Sequence, residues 1–105
     1  MNQQQCGKAL AVARQDCTGR YLLMDETNGK TCFVGALLLS LEISLADIKG
    51  QYTPNVEQAE LLRRQYGLTS DHICKLSNAN DAEWWIPRRR SRVVKLLTQI
   101  LEEGQ

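Results

Sequence analysis

Residues 84–92 read Trp-Trp-Ile-Pro-Arg-Arg-Arg-Ser-Arg, which places both tryptophans and four arginines within nine positions. Guanidinium groups recognise carboxylates and phosphates, while indoles either bury a large apolar area or stack on bases. On a helix Arg88, Arg92 and Lys95 align at i, i+4 and i+7 as one basic stripe. Trp and Arg are also the residues most enriched at protein–protein hot spots. Trp84, Trp85, Arg88, Arg89, Arg92 and Lys95 are therefore the candidate partner-binding residues. A nucleic-acid contact is the alternative, with arginines on phosphates and a tryptophan stacked. A purely structural arrangement would instead pair the arginines with Asp81 and Glu83 and bury the tryptophans. Cations at a helix N-terminus oppose its macrodipole, at a cost of roughly a few tenths of a kcal/mol each. An offsetting interaction is expected.

Charge balance favours a protein partner over nucleic acid. Residues 54–105 hold eight Lys or Arg against seven Asp or Glu, and residues 1–53 hold five of each. Dedicated DNA-binding domains usually carry a wider basic surplus. Residues 55–66, Gly67 and residues 69–79 have the outline of a helix–turn–helix. The second helix, however, presents Ser70, Asp71, His72 and Lys75, and an aspartate there would face phosphates.

Catalytic chemistry finds little support. Cys6, Cys17, Cys32 and Cys74 form no C-x-x-C pair and no zinc spacing, so reduced and mostly buried thiols are expected. The single histidine, His72, lies about 200° around a helix from Cys74, so the two cannot form a nucleophile pair. It reads as a partly exposed first-turn residue. No nucleophile elbow, phosphate-binding glycine loop or H-E-x-x-H motif is present. A non-enzymatic protein without cofactor or metal is the expectation.

The elements that must position these residues follow from periodicity. The chain has 105 residues, 43% hydrophobic and 24% charged, with net charge +1, which suits one helix-rich domain spanning 1–105. The stretch Phe33 to Leu39 is too short to cross a bilayer, and residues 1–15 lack the pattern of a secretory signal, so a cytoplasmic location is expected. Cys6, Leu10, Ala13 and Cys17 form the stripe of a helix over 3–17, with Gly19 as a left-handed cap. Asn28-Gly29 predicts a β-hairpin over about 21–34, with Glu26 opposite Thr31 and Met24 opposite Phe33. Val34, Leu38, Leu41, Leu45 and Ile48 predict a central apolar helix over about 35–48, in which Gly35 permits close approach of another backbone. Pro54 marks a linker. A helix over 55–66 follows, with Val56, Ala59, Leu62 and Tyr66 inward, and Gly67 closes it. Thr69 caps a helix over about 70–79. Asn78 to Trp85 reads as turn-rich, and Pro87 opens a last helix over 87–102 with Val93, Leu97 and Ile100 inward. The expected fold is thus mainly α. It is a compact domain of four to five helices built around the central one, with one small hairpin. Leu39 and Ile43, or the last helix, would serve a homodimer contact.

Three short pieces carry a resemblance: Cys32-Phe33-Val34-Gly35-Ala36-Leu37, Tyr66-Gly67-Leu68-Thr69 followed by Ile73 and Leu76, and Asn80-Asp81. Together, over about residues 6–101, they resemble a loose group of small uncharacterised bacterial and phage proteins with a C-x-x-G-A-L central helix, a G-L-(S/T) helix start and an N-D turn. Trp84 to Arg92 departs from that pattern. The resemblance implies a helical fold and a phage or mobile-element accessory role, such as a counter-defence factor that occupies a partner's surface.

Overall fold

The computed structural model describes residues 1–15, 17–20, 23–25 and 27–104. Six helices occur among them: α1 (Gln3–Gln15), α2 (Phe33–Ser40), α3 (Leu45–Ile48), α4 (Val56–Tyr66), α5 (Ser70–Asp81) and α6 (Ile86–Glu103). The mainly helical expectation holds. α2 packs on α1, α4 and α5, whereas α6 lies chiefly against α1 and α5. No helix among the described residues is long and apolar enough to cross a membrane.

The central helix is shorter than its apolar period suggests. Every residue from Phe33 to Leu38 is buried, so α2 forms the middle of the core. It stops at Ser40, whose hydroxyl donates back to the Leu37 carbonyl at 2.5 Å and meets the Tyr66 hydroxyl at 2.6 Å. Glu42 then adopts a left-handed φ of 66°, and the Ile43 and Glu42 amides donate to Leu38 and Leu39. That pair of bonds is a Schellman closure with glutamate in the place glycine usually takes. Ser44 restarts the chain as the cap of the four-residue α3. Leu39 and Ile43 are half-buried and pack against the core.

The expected hairpin is absent, and no strand forms among the described residues. Tyr21, Leu22 and Glu26, which the hairpin would include, lie outside the described residues. Met24 makes an isolated antiparallel bridge to Thr31, not to Phe33, and a parallel bridge to Lys49. The reason is competition for the second arm. Cys32 is the cap of α2 and its sulfur accepts from the Gly35 amide at 3.4 Å, so residues from Phe33 onward are helical. Gly29 takes a positive φ of 71°, but Asn28 does not, which rules out the two-residue type I′ turn. Residues 23–25 instead cross the start of α2. A Cβ on Gly35 would sit 1.9 Å from the Leu23 carbonyl oxygen, so only glycine fits there.

The remaining helices match their periods, with local shifts. α1 buries Cys6, Ala9 and Ala13, and Cys17 beyond it takes the left-handed φ of 68° that Gly19 was expected to supply. Gly19 serves close approach instead, since its Cβ would lie 3.0 Å from the Lys30 and Thr31 backbones. In α4 Val56 is exposed and Gln58 is buried, because Gln58 closes a capping box with Asn55. α5 runs on to Asp81, absorbing part of the expected turn. His72 lies in the first turn, as expected, and there completes the α5 capping box by accepting the Thr69 amide on Nδ1 at 3.2 Å. Cys6, Cys17 and Cys32 are buried cysteines, and Cys74 is exposed. Burial pushes the Cys32 thiol up to about 11, so it stays protonated at neutral pH.

Candidate interaction surface

The basic segment begins α6, and its arginines divide between the interior and the surface. Arg89 shares a helical stripe with Val93, Leu97 and Ile100, all four buried, and is 3% exposed. Its guanidinium donates to four main-chain carbonyls: Glu83 at 2.9 Å, Cys17 at 2.9 Å, Gly19 at 3.3 Å and Trp84 at 3.0 Å. Burial, then repulsion from Arg20, lowers its pKa, yet an arginine remains charged and carbonyl dipoles stabilise it there. Arg89 is thus withdrawn from the surface that the sequence assigned to it. Arg90 donates to the Gln15 carbonyl at 3.1 Å. Both side chains therefore reach the carbonyl-rich C-terminal end of α1, where a cation is favourable. That is part of the expected offset.

Asn80 completes this buried hub. Fully buried near the end of α5, it accepts the Phe33 amide at 3.1 Å and donates to the Gly19 carbonyl at 3.0 Å and to Asp81 at 3.0 Å. Gly19 receives both Asn80 and Arg89, so residues 17–20 are clamped by α5 and α6. Arg20 adds two bonds to the Asp81 carbonyl, at 3.1 and 2.7 Å. The sequence reading placed Asn80 in a turn and missed the hub. Arg89 was legible as the backward extension of the Val93–Leu97–Ile100 stripe; Asn80 gave no comparable signal.

Outside this hub lie the two tryptophans, Trp84 75% and Trp85 55% exposed. Their backbones are fixed, since Arg89 holds the Trp84 carbonyl and Trp85 is the α6 N-cap residue. No side chain caps that helix start, and no acidic residue occupies its first turn. Arg92 reaches the Glu83 carboxylate at 2.9 Å and Arg88 approaches it at 4.0 Å. One carboxylate facing two guanidiniums leaves the surface positive. Lys95 continues the stripe one turn on and is exposed. Of the six expected site residues, the fold thus brings Arg88, Arg92 and Lys95 to one shallow groove of about 610 Å³ between α5 and α6. Trp84 borders a separate polar hollow of about 300 Å³ with Arg20, Asp25 and Lys30.

An apolar cleft of about 480 Å³ between the 52–54 linker and α5 is lined by Tyr52, Pro54, Ala59, Ile73 and Cys74, among others, and went unnoticed in the sequence. Among the described residues no group of three His, Cys, Asp or Glu side chains could hold a metal ion. The chain matches no protein-family model, no curated protein and no solved structure.

Proposed function

We propose that this chain is a small non-enzymatic protein-interaction module that occupies a partner's surface through Trp84 and Trp85, flanked by Arg88, Arg92 and Lys95. The observation that carries the reading is the exposure of two adjacent indoles on a backbone held by Arg89. Displaying large apolar rings on a fixed frame is unfavourable in water and lowers the ordering cost of a contact. Trp and Arg together supply the anchor and the charge-assisted hydrogen bonds of a hot spot. The role fits a cytoplasmic accessory or counter-defence protein of a phage or mobile element, as the motif resemblance implies.

A nucleic-acid partner is the competing class for the same residues. Glu83 argues against it, because a carboxylate between Arg88 and Arg92 repels phosphate and halves their charge. Affinity purification from host lysate, with and without nuclease, separates the two. Capture is expected to survive nuclease and to vanish in Trp84→Ala/Trp85→Ala while the far-UV circular dichroism is unchanged. Undiminished capture by the double variant would overturn the docking surface. Loss of capture on nuclease treatment alone would transfer the role to nucleic acid.

A further inference from the structure

The exposed face of α6 is segregated by charge along its length. Arg88, Arg92, Lys95, Leu96, Gln99, Glu102 and Glu103 fall within an arc of about 120° around an ideal helix. The two arginines occupy the first two turns, Lys95 the middle, and the two carboxylates the last turn. This order opposes the macrodipole at both ends of the helix, so it is unfavourable for α6 in isolation. Glu102 and Glu103 are exposed and make no ion pair within the described residues, and neither does Lys95. Lys75 of α5 senses Glu103, but its own ion pair is with Asp71 at 3.1 Å.

We infer that this face binds a second copy of itself, with the two α6 helices antiparallel about a twofold axis beside Lys95 and Leu96. Centred there, Arg88 of each copy falls opposite Glu103 of the other, and Arg92 opposite Gln99. Glu102 lies within one turn of Arg88 and Arg92 across the axis. The Lys95 stem packs on Leu96 of the second copy, the half-buried apolar residue in the middle of the groove. Because the contact is isologous, each favourable pair occurs twice. Antiparallel helices also oppose their dipoles, so the arrangement that is unfavourable in one helix becomes complementary in two. Glu83 does not prevent this, since it supplies one carboxylate to two guanidiniums. The contact is one helix wide and mostly polar, which makes it weak and salt-sensitive.

The inference does not rest on the docking role of the tryptophans, which precede the helix and do not line this groove. Sedimentation equilibrium of the intact chain tests it. At low salt the mean mass is expected to rise toward twice the monomer's between about 10 μM and 1 mM, the range suited to a small interface. In about 0.5 M salt, where screening shortens charge interactions, association should weaken at least tenfold. Glu102→Lys/Glu103→Lys, which makes the face all-positive, should remain monomeric. Arg88→Glu/Arg92→Glu, which makes its ends negative, should do the same. Mixing the two variants should restore dimer as a heterodimer, because each then meets its opposite. Trp84→Ala/Trp85→Ala should associate like the wild type. A wild-type chain monomeric to about 1 mM at low salt, below any useful interface of this class, would overturn the pairing. So would an all-positive variant that dimerises as well as the wild type, or a mixture that stays monomeric. The all-positive variant touches only the exposed last turn, so its result does not depend on the Glu83 contacts.

Discussion

Arg88, Arg89, Arg90 and Arg92 come from one five-residue stretch, yet the fold sends them two ways. Arg89 turns inward and Arg90 stays half-buried at the rim, and both donate to main-chain carbonyls at the end of α1 and in the loops beside it. Arg88 and Arg92 turn outward and share Glu83 at the surface. A cluster that looks like one basic patch in sequence is therefore a structural clamp and a half-neutralised surface, separated by a helical rotation. Charge density along a chain therefore does not measure charge density on a face. The division also accounts for four cations beginning a helix: two act at the far end of another helix, and two answer a carboxylate.

The clamp should carry the large energies. Arg89→Ala would remove a donor from four main-chain carbonyls, of which Gly19 keeps Asn80, and is expected to cost about 3–4 kcal/mol in urea unfolding. Asn80→Ala strips partners from the Phe33 amide and the Gly19 carbonyl and should cost about 2–3 kcal/mol. Because both side chains meet at Gly19, the double variant should lose about 1 kcal/mol less than the sum of the two, which a double-mutant cycle reads directly. Strict additivity would mean that the hub is two independent contacts. Arg90→Ala, at the rim of the clamp, should cost about 1 kcal/mol. Arg88→Ala/Arg92→Ala should cost less than about 1 kcal/mol in total, since exposed ion pairs stabilise little. A larger loss there would erase the contrast between the two sides.

Much of this architecture could be read from sequence. α1, α4, α5 and α6 follow helical periods, and Thr69, Gly67 and Pro87 sit where caps and first turns want them. The break after α2 was hidden because Leu38, Leu41, Leu45 and Ile48 keep a helical spacing straight through it. What interrupts the helix is a left-handed Glu42, a conformation that glutamate does not advertise. The hairpin was lost to a stronger local claim, the Cys32 cap of α2, which withdrew the residues needed for pairing. At the candidate surface the outward residues were identified from composition and spacing. The inward fate of Arg89 needed the apolar stripe of α6 to be carried back one more turn. The burial of Asn80 depends on three segments converging, which no local pattern announces.

Position 89 is a many-armed structural clamp, whereas position 88 is a surface charge. Lysine keeps the charge at either site but replaces the planar fork by a single ammonium. Urea unfolding of Arg89→Lys beside Arg88→Lys tests the claim most directly. Arg89→Lys is expected to lose about 2 kcal/mol and Arg88→Lys no more than about 0.5 kcal/mol. Equal losses at the two positions, or a silent Arg89→Lys, would contradict it.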